Sequence, residues 1–211
     1  MSGDSTKRPG HWAASQRKHY QKGGIGGWFR RFRDETVFEL LKEEDHRIID
    51  LGCGEGITLE ALKKRFPTRT CLGIELNKES VETCGSYDLP VLNGSIYHLA
   101  IRTGSTDCCL TMDVIEHLDY PEDALKEIHR ILKPGRSVIV VFPNDRNFFW
   151  SRLICLKWKE AFYDPGHVKK WHPKEMEKLL GKMGFRVTYR RNVPFHLWSL
   201  SLYHIIQAEK R

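Results

Sequence analysis

The segment Gly52-Cys53-Gly54-Glu55-Gly56 follows the apolar run Ile48-Ile49-Asp50-Leu51 and opens onto a helix-like stretch. A glycine-lined turn therefore stands where a buried strand hands over to a helix, the junction from which sheets covered by helices are built. Glycine accepts positive φ and lets the backbone approach a ligand, while the next helix offers unpaired N–H groups and a partial positive charge. The turn reads as a cradle for a small charged cofactor. A dinucleotide turn would read G-x-G-x-x-G, but Ile57 stands where the third glycine would fall, which argues against a nicotinamide cofactor.

From this junction the pattern alternates. Strands are expected at 47–51, 70–75, 91–92, 107–112 and 137–142, and helices at 58–65, 78–84 and 121–132. Such alternation predicts an α/β fold, a mostly parallel sheet wrapped by helices. The helix at 121–132 carries the strongest signals: Pro121 suits the first turn, Glu122 and Asp123 favour the N-terminus, and Leu125, Ile128 and Leu132 form a stripe. Lys133-Pro134-Gly135 should stop it. The tail reads as a helix at 173–183 and strands at 185–191 and 201–208.

Before the first strand, Phe32, Val37, Phe38 and Leu41 mark an amphipathic lid helix at 28–41, preceded by Gly23-Gly24-Ile25-Gly26-Gly27 as a flexible joint. The formal net charge of +7 gathers here: Lys7, Arg8, Arg17, Lys18, Lys22, Arg30, Arg31 and Arg33 face only Asp4 and Asp34 before position 35. Residues 1–45 thus read as a basic arm and lid, and 46–211 as the cofactor-binding domain. Within the latter, 144–173 is an insertion rich in aromatics. Trp150, Ile154, Trp158 and Ala161 share a helical face there, which suggests a cap over the acceptor.

The 211 residues suffice for one sizeable core. No apolar run approaches the roughly 20 residues of a membrane span, and Met1 to Gly10 lack an apolar signal core, so a cytoplasmic protein is expected. Peripheral membrane contact through the cap and nucleic-acid contact through the basic arm are weaker expectations. The six cysteines form no C-x-x-C pair and read as reduced and mostly buried.

The stretch from Ile48 to Gly56 resembles motif I of the class I S-adenosylmethionine-dependent methyltransferases. Further segments match in order: Leu72-Gly73-Ile74-Glu75-Leu76, Asn93-Gly94-Ser95-Ile96, 107–118, and Leu132-Lys133-Pro134-Gly135. The resemblance, strongest to the type 11 group with its ubiquinone-biosynthesis enzymes, implies a Rossmann-like sheet of seven strands. Its C-terminal edge strand would be antiparallel, and helices would cover both faces.

It also implies S-adenosyl-L-methionine as cofactor, held by Asp50, Gly52, Cys53, Gly54, Gly56, Glu75, Leu76, Ser95, Ile96 and Asp113. Glu75 would accept both ribose hydroxyls, and Leu76 and Ile96 would sandwich adenine. Ser95 stands where relatives usually carry an aspartate for the exocyclic amine.

Glu116 and His117 resemble the Glu-His pair of the type 11 group, either one a general-base candidate beside the methyl. Asp113, Glu116 and His117, joined by His167 of Asp164-Pro165-Gly166-His167, also resemble the metal site of ubiquinone-pathway and small-RNA 2′-O-methyltransferases. A divalent metal is the less favoured reading. The expected activity is methyl transfer to an O or N atom of a small molecule, aromatic or lipid-like. The alternatives are a metal-assisted RNA 2′-O-methyltransferase and a cofactor-binding partner protein without turnover.

Overall fold

The computed structural model describes Arg17, residues 24–144, Asn147 and residues 168–211. Helix α1 (Gly24–Phe38) precedes β1 (Arg47–Leu51), α2 (Ile57–Arg65), β2 (Thr70–Glu75), α3 (Lys78–Ser86), β3 (Val91–Asn93) and β4 (Thr106–Met112). A 3-10 turn (Ile115–His117), α4 (Pro121–Ile131), β5 (Leu132–Pro143), α5 (Pro173–Lys182), β6 (Phe185–Val193) and β7 (Tyr203–Lys210) complete the order.

The seven strands form one sheet in the order β3-β2-β1-β4-β5-β7-β6. All pairs from β3 to β5 are parallel, and β7 runs antiparallel between β5 and β6. The expected class is thereby met, with the antiparallel C-terminal strand one place inside the sheet edge.

The central strands β1 and β4 are buried along almost their whole length because helices cover both faces. Ile49, Leu51, Val138, Val140 and Phe142 meet α4 and α5 through Leu125, Ile128, Met176 and Leu180. Ile48, Leu110, Ile139 and Val141 turn the other way, toward Val37 and Phe38 of α1 and Leu59 and Leu62 of α2. The switch of face between Ile48 and Ile49, and again between Val138 and Ile139, is the two-residue period of a pleated strand.

Most elements start and stop close to expectation; α1 ends at Phe38 instead of Leu41, and three starts differ for physical reasons. α1 begins at Gly24, so the glycine run expected to be a flexible joint contributes the first turn of the helix. β5 begins at Leu132, because Leu132 already has extended dihedrals and pairs with Thr106; pairing then skips Lys133 to Arg136 and resumes at Cys108–Ser137. β7 begins at Tyr203 because Ser201 is still folded into the preceding turn, its N–H donating to Leu197 O at 3.0 Å and its hydroxyl to Trp198 O at 3.0 Å.

At the amino ends of β1 and β4, Asp107 accepts from the N–H groups of His46 (3.1 Å) and Arg47 (2.9 Å) and from Lys133 Nζ (2.6 Å). Although burial works against its ionisation, the Lys133 and Arg47 hydrogen bonds hold its carboxyl below the usual range. The clamp lies at the end of the sheet opposite the glycine turn, so Asp107 is structural. Cys71, Cys84, Cys108 and Cys109 are buried and Cys53 half-buried, all as free thiols. Among the described residues no helix is long and apolar enough to cross a membrane.

Candidate active site

The glycine turn closes against the end of the neighbouring strand. Gly52 N–H and Cys53 N–H both donate to Ile74 O, at 2.8 and 3.2 Å, and Gly56 N–H donates to Cys53 O at 2.9 Å. Gly52 and Gly56 have φ of 70° and 75°, a region that side chains disfavour. Packing adds to that demand. A Cβ at Gly52 would lie 2.6 Å from Val114 Cγ2, and one at Gly56 would lie 2.6 Å from Leu89 Cδ1. The turn after β1 and the turn after β4 therefore touch, at Gly52 and Val114.

Glu75 ends β2 beside this turn. One carboxylate oxygen accepts from Gly54 N–H at 2.8 Å and the other from Asn77 N–H at 2.8 Å. Each keeps a further lone pair, so a carboxylate fixed in this way can accept a pair of vicinal hydroxyls. Asn93 supports it: its amide donates to Glu75 O and Leu76 O, both at 2.9 Å. Leu76 is 70% exposed, an apolar platform awaiting a flat partner. Ser95 and Ile96 are half-buried on the loop after β3, the Ser95 hydroxyl occupied by Tyr97 N–H at 3.3 Å. An open cleft of about 470 Å³ lies beyond that loop, against Tyr97, Tyr120 and Glu127; none of the expected site residues lines it.

The surroundings of the glycine turn are acidic. Asp50 is buried and its Oδ2 has no hydrogen-bond partner among the described residues. Burial, then Asp34, push its carboxyl up to about 7, with Arg33 opposing and Glu75 adding to the rise. Arg33 is buried as well. Its Nε and Nη2 donate to Asp34 Oδ1 at 3.0 and 2.9 Å, its Nη1 pairs with Asp113, and it lies over the Tyr203 ring at 5.0 Å. Burial disfavours the Arg33 charge, but Asp113 and Asp34 more than compensate and hold its pKa above the usual value. Asp113 has φ of 57°, a left-handed conformation that costs roughly 1–2 kcal/mol outside glycine, and Arg33 holds it there.

After Asp113, Glu116 is buried and His117 is exposed, so these neighbours face different surroundings. Glu116 O accepts the N–H groups of Val168 and Lys169, at 2.9 and 3.1 Å, and Trp171 Nε1 donates to Ile115 O at 3.2 Å. The chain returning from the expected cap is thus pinned beneath the turn. His167, like Trp150, Ile154, Trp158 and Ala161, lies outside the described residues. Among the described residues no three His, Cys, Asp or Glu side chains gather as metal ligands, and Asp113 would have to give up Arg33 to become one.

Sequence reasoning missed Arg33 and Asp34, which it assigned to a basic arm, and Arg17. Arg17 N–H donates to Glu55 Oε2 at 2.8 Å and its Nε to Glu55 O at 2.9 Å, tying the arm to the glycine turn. One signal for the first two was available: Arg33 and Asp34 precede Val37 and Phe38 by four residues, on the stripe that faces the sheet.

A doubly wound sheet with a glycine turn after β1 and an acid closing β2 defines a nucleoside-cofactor enzyme. A methyltransferase-domain family model matches residues 19–190, and the chain belongs to the S-adenosylmethionine-dependent methyltransferases. A probable S-adenosylmethionine-dependent methyltransferase of Mycolicibacterium smegmatis is 26% identical over 164 residues, 76% of this chain and 60% of that protein. The mitochondrial ubiquinone biosynthesis O-methyltransferase of Saccharomyces cerevisiae is 25% identical over 60% of this chain and 43% of its own length. A solved structure from Thermotoga maritima, described as a possible histamine N-methyltransferase, covers 93% of this chain and 96% of its own. It is 23% identical, with a TM-score of 0.72, and shares the fold. The chain spans between 35% and 60% of the length of the first curated relatives it matches.

The residues present fit S-adenosylmethionine. Asp50 Oδ2 offers a buried acceptor to an ammonium, Glu75 suits a ribose diol, and Leu76 suits the face of an adenine. Because the ammonium favours ionised Asp50, binding below the Asp50 pKa should release a proton. S-adenosylhomocysteine affinity is expected to rise with pH, by at most about tenfold per unit, and to level off above about 7. The charged and thiol groups acting on that site are Arg33, Asp34, Glu75, Cys53, Cys71 and Cys84. Calorimetry in buffers of different ionisation enthalpy checks this, and affinity falling toward pH 7 would contradict it.

Proposed function

We propose that this protein transfers the methyl group to an O or N atom of a small-molecule acceptor, aromatic or lipid-like, that enters beside the turn after β4. The observation that supports the reading is the contact between the two turns: a Cβ at Gly52 would strike Val114, so the turn that carries His117 meets the glycine cradle. When bound, S-adenosylmethionine supplies a methyl already activated on a sulfonium. The chain's own work is to align the acceptor and take its proton.

His117, exposed at the mouth, is the base in this reading, and buried Glu116 shapes the loop whose carbonyl holds Val168 and Lys169. Gly52, Gly54 and Gly56 carry the methionine end, Cys53 packs beneath them, and Ser95 and Ile96 flank the adenine. His117→Ala is then expected to lower turnover by about a hundredfold or more, while S-adenosylhomocysteine binds as before. Tritiated methyl transfer to a panel of phenols, catechols and amines measures the first, and calorimetry the second. Full turnover in His117→Ala would sink the assignment of the base, and transfer only to RNA would sink the small-molecule acceptor.

A further inference from the structure

We infer that α1 completes the cofactor site: Asp34 joins Asp50 as a second carboxylate acceptor for the ammonium of the methionine end, directly or through one ordered water. The inference rests on the cofactor reading of the glycine turn and adds a residue from outside the matched motifs. Two buried carboxylate oxygens on different elements, Asp34 Oδ2 and Asp50 Oδ2, have no hydrogen-bond partner among the described residues. Their residues are 3% and 2% exposed, so water does not serve them from bulk. An unserved buried acceptor is costly, and two of them beside a ligand cradle mark the place of a missing donor.

The two carboxylates share no hydrogen bond, yet Asp34 is the charged group that acts most strongly on Asp50. Among the described residues, Arg33 is the positive group that meets both Asp34 and Asp113. Arg33 and then Arg30 oppose the charge of Asp34, and Arg33 is the cation that opposes Asp50. An ammonium has three N–H donors and one positive charge, which is what the pair of open oxygens lacks.

Arg33 meanwhile holds Asp34 through Oδ1, at 3.0 and 2.9 Å, and leaves Oδ2 outside those hydrogen bonds. The pairing of Arg33 with Asp113 ties the same helix to the end of β4. Cofactor binding and the seating of α1 are therefore linked: the ligand satisfies an oxygen that α1 brings.

Asp34→Asn is the informative variant, because its amide can keep the Oδ1 contacts to Arg33 while turning the open acceptor into a donor that faces the ammonium. Two ligands separate a binding role from a structural one. S-adenosylhomocysteine carries the amino-acid end; 5′-methylthioadenosine has the same nucleoside and thioether without it. By calorimetry on the full chain, Asp34→Asn is expected to weaken S-adenosylhomocysteine about ten- to hundredfold and to leave 5′-methylthioadenosine unchanged. The thermal midpoint without ligand should move little, whereas the rise that S-adenosylhomocysteine gives should shrink.

Equal loss for both ligands would assign Asp34 a structural role and overturn the inference, as would wild-type affinity for S-adenosylhomocysteine. Failure of the unaltered protein to bind either ligand would overturn the cofactor reading itself, and the inference with it.

Discussion

Glu75→Ala is expected to weaken S-adenosylhomocysteine binding by at least about a hundredfold, a loss that follows from two jobs done by one carboxylate. Each oxygen anchors a backbone N–H, one in the glycine turn and one at Asn77, which fixes the carboxylate proposed to meet the ribose diol. Hydrogen bonds to an ionised group contribute roughly 1.5–3 kcal/mol apiece. Losing both hydroxyl contacts accounts for the hundredfold, and slackening of Gly54 adds to it. Glu75→Gln keeps one acceptor oxygen and should lose less. Calorimetric titration orders the three proteins, and an alanine variant that binds like wild type would show that the diol rests elsewhere.

Gly52→Ala should be nearly as damaging by a different route. The left-handed backbone at Gly52 costs an alanine roughly 1–2 kcal/mol, and its Cβ would press on Val114 at 2.6 Å. Overpacking of this kind adds roughly 1–3 kcal/mol. The strain can be relieved only by shifting the cradle or the turn after β4, and both carry the site. Thermal stability and S-adenosylhomocysteine affinity are expected to fall together, affinity by a factor of about ten to a hundred. Val114→Ala placed in the same chain should restore the steric part and leave the backbone part. A Gly52→Ala protein with unaltered melting and binding would show that the turn is not held by this contact.

The framework was legible because the physics that builds it is local. Ile48 to Leu51 and Val138 to Phe142 are buried on both faces, so they stand out as apolar runs, the first broken only by Asp50. The helix at Pro121–Ile131 announces itself through its proline, its early acids and its stripe. Glu75 was legible for the same reason: it ends a strand one crossover after the glycine turn. What escaped depends on partners far apart in the chain. Arg33 and Asp113 are 80 residues apart, and Arg17 and Glu55 are 38 apart.

A charged residue near a basic terminus reads as solvated until its partner is seen, so Arg33 and Asp34 looked like arm. Asp113 was marked as a site residue, but its left-handed backbone and its guanidinium partner had no trace in the sequence. The early start of β5 escaped because Lys133-Pro134-Gly135 is a helix stop that here interrupts strand pairing.

A crystal structure of the protein with S-adenosylhomocysteine tests the central claim most directly. The ribose diol should lie within hydrogen-bonding distance of the Glu75 carboxylate, with adenine on Leu76 and the amino-acid end over Gly52 and Gly54, facing Asp50. A ligand seated away from Glu75, or a crevice after β1 filled by the protein's own side chains, would contradict it.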